Sequence, residues 1–361
     1  MAEQFIGRRR IAPGSEEAAV FAKFVDPPKE PPRTLDAVPG DVFFRRVVGD
    51  QVDLALPFRL PNGKNKLRMW VIGNPDGLTT FPSQLIRVRA GQSVRVATET
   101  SIGPHTIHWH GIEGTTMNDG VGKHSFEIRG DYSYQFTPRG PGFFFYHCHR
   151  NTTLHFEMGL FGPLIVDPPQ GQGFVSAYAP ATGHVVRYDR EVLWVCGAHD
   201  YRWHDFSHAH ALSGTDPNDP KSFTTGGGLD DWKPTVFTVT GAVARDGATA
   251  ITDPRAQARA SVGDTVLVRL LNGSYAVQEY RIGADLLVIA EDGRALGVPP
   301  LGQYSEPFSI PAGQPFQLTA GMRYDILIRP TRPGPITFQV DYLDWIAGTV
   351  RGRAITAILV A

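Results

Sequence analysis

Seven of the twelve histidines fall between His105 and His155, where even scatter would place about two. One of the two cysteines, Cys148, shares that window, inside Tyr146-His147-Cys148-His149. A soft thiolate among imidazoles selects copper, zinc or iron over the hard cations. Two cysteines are too few for an iron–sulfur cluster, and structural zinc usually asks for more cysteines or paired C-x-x-C spacing. Two imidazoles and one thiolate with a weak axial neighbour form the blue-copper set. In a β-sandwich one histidine of that set comes from an early strand, while the cysteine and the second histidine flank a loop between the last strands. His105, Cys148 and His155 fit those three places. The competing use of the thiol is a disulfide with Cys196.

Four of the five remaining histidines of the window fall in two H-x-H pairs. His108-Trp109-His110 has the period of a strand, so both imidazoles face one side. His147 and His149 flank Cys148 in the same way and point opposite to the thiolate. The two pairs can meet on that far side, a short covalent path from the sulfur. Taken singly, each of these four histidines is better read as an ordinary hydrogen-bonded residue; two pairs, one bracketing a cysteine, point to a second metal cluster. His124 and His184 read as structural, and Cys196 as a buried strand residue. An irregular insert from His199 to about Trp232 adds His199, His204, His208 and His210 as further candidate metal ligands, or a polar surface loop. After His210 no histidine occurs.

The elements that must hold these residues read as all-β. Apolar runs are short and rich in Val, Ile and Phe, and Gly and Pro are plentiful, which suits β-sandwiches. At 361 residues there is room for two domains. Arg68-Met69-Trp70-Val71-Ile72 reads as a strand, followed by a turn at Asn74-Pro75-Asp76-Gly77. The run Leu85 to Val96, with Ala90-Gly91 at its centre, reads as a hairpin. Ala258 to Arg269 echoes it about 170 residues later, so two related sandwiches are expected. The predicted division is an extended N-terminal arm over 1–60, a first sandwich over 61–170 ending at Asp167-Pro168-Pro169-Gln170-Gly171, and a second over 171–361. The arm rests on Asp26-Pro27-Pro28-Lys29-Glu30-Pro31-Pro32, where proline forbids helix or central strand. The net charge of -1 gives no case for nucleic acid or an anionic membrane. No run reaches the roughly 18–20 apolar residues of a membrane span, and Arg8-Arg9-Arg10 leads into no apolar leader core.

His108-Trp109-His110-Gly111, Asn118-Asp119-Gly120 and Phe144-Phe145-Tyr146-His147-Cys148-His149 resemble the motifs of the multicopper oxidases, the family of the laccases. The resemblance covers residues 67–170 and implies Greek-key cupredoxin domains. It makes His105, Cys148 and His155 the type 1 copper ligands, His108 a type 2 ligand, and His110, His147 and His149 ligands of the type 3 pair. Cys148, His147 and His149 would then carry electrons in catalysis. Two residues compete for the axial position: Met158, a thioether donor, and Leu160, where the resemblance puts a non-coordinating residue. Leu160 is favoured. The implied activity is laccase-like: a small-molecule reductant is oxidised and dioxygen reduced. The family also implies a periplasmic or secreted location.

Copper nitrite reductases are a second, more distant resemblance, with nitrite as substrate. Against it, His108 stands where their catalytic aspartate would be, and Phe338 to Trp345 lacks the expected histidine. A third reading is a non-catalytic copper electron-transfer or storage protein. The resemblance also exposes a gap, because a complete oxidase cluster needs twice the four imidazoles of domain one. In two-domain laccases the rest come from domain two of an adjacent subunit. Here Val266 to Ser274, Glu291-Asp292-Gly293 and Arg323-Tyr324-Asp325 resemble the copper-free middle domain of three-domain oxidases. The missing ligands are expected from the insert, or from a second copy meeting the first about a twofold axis; otherwise the histidines hold fewer coppers. The need for ligands implies a homo-oligomer, such as a trimer or a multiple of it.

Overall fold

The computed structural model describes residues 42–75, 79–101, 105–121, 128, 130–205 and 232–361. Val42–Ala55 (β1) alternates outward and inward side chains over much of its length, the period of a half-buried strand. It pairs antiparallel with Lys66–Gly73 (β2) and parallel with Val94–Thr100 (β4), which pairs with Tyr132–Phe136 (β6). The facing sheet is built from Ile86–Arg89 (β3), His108–His110 (β5), Gly142–His147 (β7) and Phe161–Asp167 (β8), in the order β3-β8-β7-β5. Two short helices interrupt the strands, Thr116–Asp119 (α1) and Thr152–Met158 (α2).

Two expectations are corrected here. The arm predicted over 1–60 does not extend that far, since residues 42–48 pair with β4 and residues 47–55 with β2, which places them in the first sandwich. The proline-rich stretch from Asp26 to Pro32 lies outside the described residues, as does Asp76-Gly77 of the predicted turn. The Ala90-Gly91 turn, with Gly91 at φ 82°, does not close a hairpin. β3 pairs with β8, whereas β4 pairs with β1 and β6. The turn carries the chain from one sheet to the other. Ile86 and Val88 on one side, and Val94 and Val96 on the other, then bury into one core from opposite layers.

The echo does the same. Ala258–Ala260 (β11) pairs with the last strand, Val350–Val360 (β18), while Val266–Asn272 (β12) pairs parallel with Arg190–His199 (β9) and antiparallel with Arg323–Ile328 (β16). Val236–Val239 (β10) and Leu286–Glu291 (β14) complete the main path of an eight-stranded sheet, β10-β9-β12-β16-β14. Val277–Ile282 (β13), Phe316–Leu318 (β15) and Gly334–Leu343 (β17) join β11 and β18 in the facing sheet, ordered β11-β18-β17-β13-β15. The parallel pairs β1–β4 and β9–β12, and β3–β8 and β11–β18, correspond, so the two sandwiches share one topology.

β12 is buried on every residue, as a strand covered on both faces must be. Val268 and Leu270 enter the second core. Leu267 meets the linker residues Val175, Val186 and Tyr188, and Leu271 meets Phe143, Phe145 and Phe161 of the first sandwich. A buried ionic chain crosses the same junction. Arg87 pairs with Asp167 at 2.7 Å and Glu191 at 2.6 Å, and Arg269 pairs with Glu191 at 2.7 Å and Asp325 at 2.8 Å.

Candidate metal centre

Cys148 follows directly on β7, and its N–H donates to Leu160 O at 2.9 Å. His105 is fixed by a bridge to Ile128. His155 lies on α2, which ends at Gly159 with φ 107°; a side chain there would press on Trp70 O at 2.9 Å. These elements bring Cys148 Sγ within 3.6 Å of His105 Nδ1 and 3.2 Å of His155 Nδ1, with all three residues fully buried. An ion bonded to sulfur at about 2.3 Å and to nitrogen at about 2.0 Å, near a trigonal angle, holds those atoms about 3.7 Å apart. The donor set and spacing fit one soft ion. Burial pushes the Cys148 thiol up to about 11 in the metal-free chain. Both cysteines are free, which removes the disulfide reading.

The register β5–β7 places His108 opposite His147 and His110 opposite Phe145. His147 Nδ1–H donates to Cys148 O at 3.0 Å, leaving Nε2 facing His110 Nδ1 at 3.4 Å. His108 Nδ1–H donates to Asp119 O at 2.7 Å. Gly120 makes that approach possible, because at φ 74° its bare Cα lies against the Ile107 carbonyl. A backbone acceptor thus fixes the tautomers of His108 and His147 and frees the other nitrogen as a ligand. Ligand atoms of His108, His110 and His147 lie within 4.8 Å of one another. His149 joins them, its ring 5.4 Å from His108 and 5.6 Å from His147. Burial lowers the basicity of all three clustered rings. His110 falls to about 3, with the Arg323 charge contributing after burial. Neutral imidazoles are what a metal needs.

The second sandwich of the same chain meets this face with guanidinium groups. Arg323 stands 5.2 Å over the Phe145 ring and donates to Phe143 O at 3.1 Å; Arg294 donates to Gly111 O at 3.1 Å. His199 and His204 are not brought to it. β9 ends at His199 beside α2, and both histidines gather around Glu157 instead. His124, His208 and His210 lie outside the described residues. Leu160 and Met158 are both fully buried beside Cys148. The pairing His147↔Phe161 continues to Cys148 and Leu160, which turns Leu160 toward the cysteine's face. Sequence reasoning missed Glu157 and Arg323 as groups facing these histidines, and nothing local in the sequence marks either one.

Residues 61–171 match the family model described as multicopper oxidase. An L-ascorbate oxidase of Cucurbita pepo var. melopepo is 38% identical over 124 residues, which are 32% of this chain and 21% of that protein. Multicopper oxidase MmcO of Mycobacterium tuberculosis is 34% identical over 101 residues, 27% of this chain and 20% of that protein. The match thus spans about a fifth of the length of these curated relatives. Among solved structures, the blue copper oxidase of Nitrosomonas europaea aligns over 89% of this chain and 86% of its own, with TM-score 0.62 and 21% identity. Copper nitrite reductase from Nitrosomonas europaea aligns over 88% and 94%, with TM-score 0.57 and 17% identity. Both share the two-sandwich fold. Among the described residues no helix is long and apolar enough to cross a membrane.

Proposed function

We propose, from the match of residues 61–171 to the multicopper oxidase model, that the chain is a laccase-like copper oxidoreductase that oxidises a small-molecule reductant and reduces dioxygen. The observation that carries this reading is one strand end: the Cys148 sulfur lies between His105 and His155 while His147, next in chain, belongs to the imidazole group behind it. Copper bound at these positions would supply one-electron redox chemistry at the sulfur and dioxygen reduction at the imidazoles.

The chain's own groups prepare that chemistry. His105 and His155 would hold the thiolate in a buried pocket beside the apolar Leu160, and such an environment favours the reduced ion and a high potential. Cys148 is joined to His147 and His149 by a single peptide link each. The hydrogen bond from His147 Nδ1 to Cys148 O gives a second connection from sulfur to imidazole. Trp70, edge-on to His155 at 5.9 Å, also lines an open cavity with Asp53, Lys64 and Tyr201; a reductant would approach there.

His108, His110, His147 and His149 supply half of a full oxidase cluster. Arg323 and Arg294 occupy the side where the second domain of the same chain meets them, so the other half would come from another chain or from His208 and His210 of the insert. Copper content tests the reading. Oxygen uptake on addition of a reductant is the expected result, at about four ions per chain where the insert completes the cluster, or about five per pair of chains where two first domains share one. About two ions with nitrite turnover would support the reductase reading, and a single ion with no turnover an electron carrier.

A further inference from the structure

Glu157, His199 and His204 form a cluster that neither copper assignment uses. Their ligand atoms lie within 4.8 Å of one another and all three residues are buried. They come from three segments: Glu157 from α2, His199 from the end of β9, and His204 from the 3₁₀ turn Trp203–Asp205. Each is oriented from behind. Glu157 accepts from Asp200 N–H at 2.6 Å and Trp232 Nε1–H at 3.0 Å. His204 Nδ1–H donates to Arg68 O at 2.6 Å, so Nε2 carries the lone pair. His199 Nε2 lies 3.5 Å from Thr238 Oγ1. Such outer partners are the usual support of metal ligands.

His199 Nδ1 and His204 Nε2 are buried with no hydrogen-bond partner among the described residues. His204 Nε2 and Glu157 Oε1 stand 3.6 Å apart, too far for a hydrogen bond. Two ligands at about 2.05 Å from one tetrahedral ion stand about 3.4 Å apart. A protonated His204 paired with Glu157 would still leave His199 Nδ1 unmet, at the desolvation cost of a buried ion pair.

We propose that Glu157, His199 and His204 bind a zinc-class divalent ion that pins α2 to the second domain. Two imidazoles and a carboxylate without sulfur suit Zn(II) and leave a fourth position open. His204 also borders the cavity of about 420 Å³ whose wall includes Asp53, Arg68, Trp70 and Asp205, which gives an ion a way in.

The test uses the full chain, loaded first with copper(I), the soft ion that the thiolate and the clustered imidazoles take in preference to a carboxylate-bearing site, then cleared of unbound copper and reoxidised in air. Zinc is then added, the excess removed, and metal per chain measured. About one zinc per chain is expected, lost in both His199→Gln and His204→Gln while the blue absorbance stays. Zinc should raise the unfolding midpoint of the parent chain and leave both variants unmoved. Anomalous X-ray scattering at the zinc edge from parent crystals gives a reading that needs no variant: a peak between the three side chains is expected. A parent chain that takes up no zinc, a peak elsewhere, or zinc retained by both variants overturns the proposal. Zinc held here by a chain that never turns blue would leave this site standing and remove the Cys148 reading instead.

Discussion

Replacing Arg269 by leucine strips the cation from the ionic chain between the domains. Arg269 and Asp325 are almost wholly buried, and Arg269 bonds both Asp325 and Glu191. Asp325 Oδ1 has no hydrogen-bond partner among the described residues, and with Arg269 gone the weaker influence of the Arg323 charge would remain. Burial pushes the Asp325 carboxyl upward, and the Arg269 charge is the strongest influence opposing it. Glu191 keeps Arg87. Removing one partner of a buried pair costs about 3–5 kcal/mol, which for a domain of this size lowers the unfolding midpoint by roughly 6–20 °C. The pH dependence has a defined sign. Asp325's folded pKa is raised, so its unpaired charge is a penalty above that value, relieved by protonation as pH falls. The deficit of Arg269→Leu should therefore be largest near neutral pH and shrink toward the ordinary carboxyl range. Thermal unfolding of parent and variant at several pH values measures this. A variant within about 1 kcal/mol of the parent at pH 7 would refute the account.

Cys148→Ser should abolish the intense blue absorbance of the copper-loaded chain while the far-ultraviolet circular dichroism stays that of a β protein; persisting colour would remove the sulfur assignment. Leu160→Met should lower the reduction potential of that centre, read by redox titration, and an unchanged potential would argue against the axial place of Leu160. Because the thiol of the metal-free chain ionises only at about 11, copper loading must expel its proton. Apparent affinity should rise about tenfold per pH unit between pH 6 and 8, with proton uptake by the buffer seen in calorimetry. His108→Ala should keep the blue band but lower total copper and stop oxygen uptake.

The candidate ligands were legible because metal chemistry restricts residue type and strands restrict direction. His108 and His110 had to share a face, and the β5–β7 register puts them opposite His147 and Phe145. The repeated Gly91 and Gly263 turns gave the two-sandwich order but not their own role. Local alternation cannot say whether a turn joins partners in one sheet or crosses between two layers. The start of the first sandwich at Val42 was hidden because β1 draws its pairing from β2 and β4, which lie later in the chain. Glu157 was invisible for the same reason: its partners, His199 and His204, are some forty residues away, and nothing local marks a carboxylate as theirs.

Helix α2 gives successive residues different tasks. His155 reaches the Cys148 sulfur, Phe156 stacks on Phe161 at 4.5 Å in the core shared by the domains, and Glu157 faces His199 and His204. With barely two turns of helix between them, none can shift without dragging the others. The colour of a copper ion on Cys148 would then double as an optical gauge of how the two halves of the molecule are seated, readable in solution without any label.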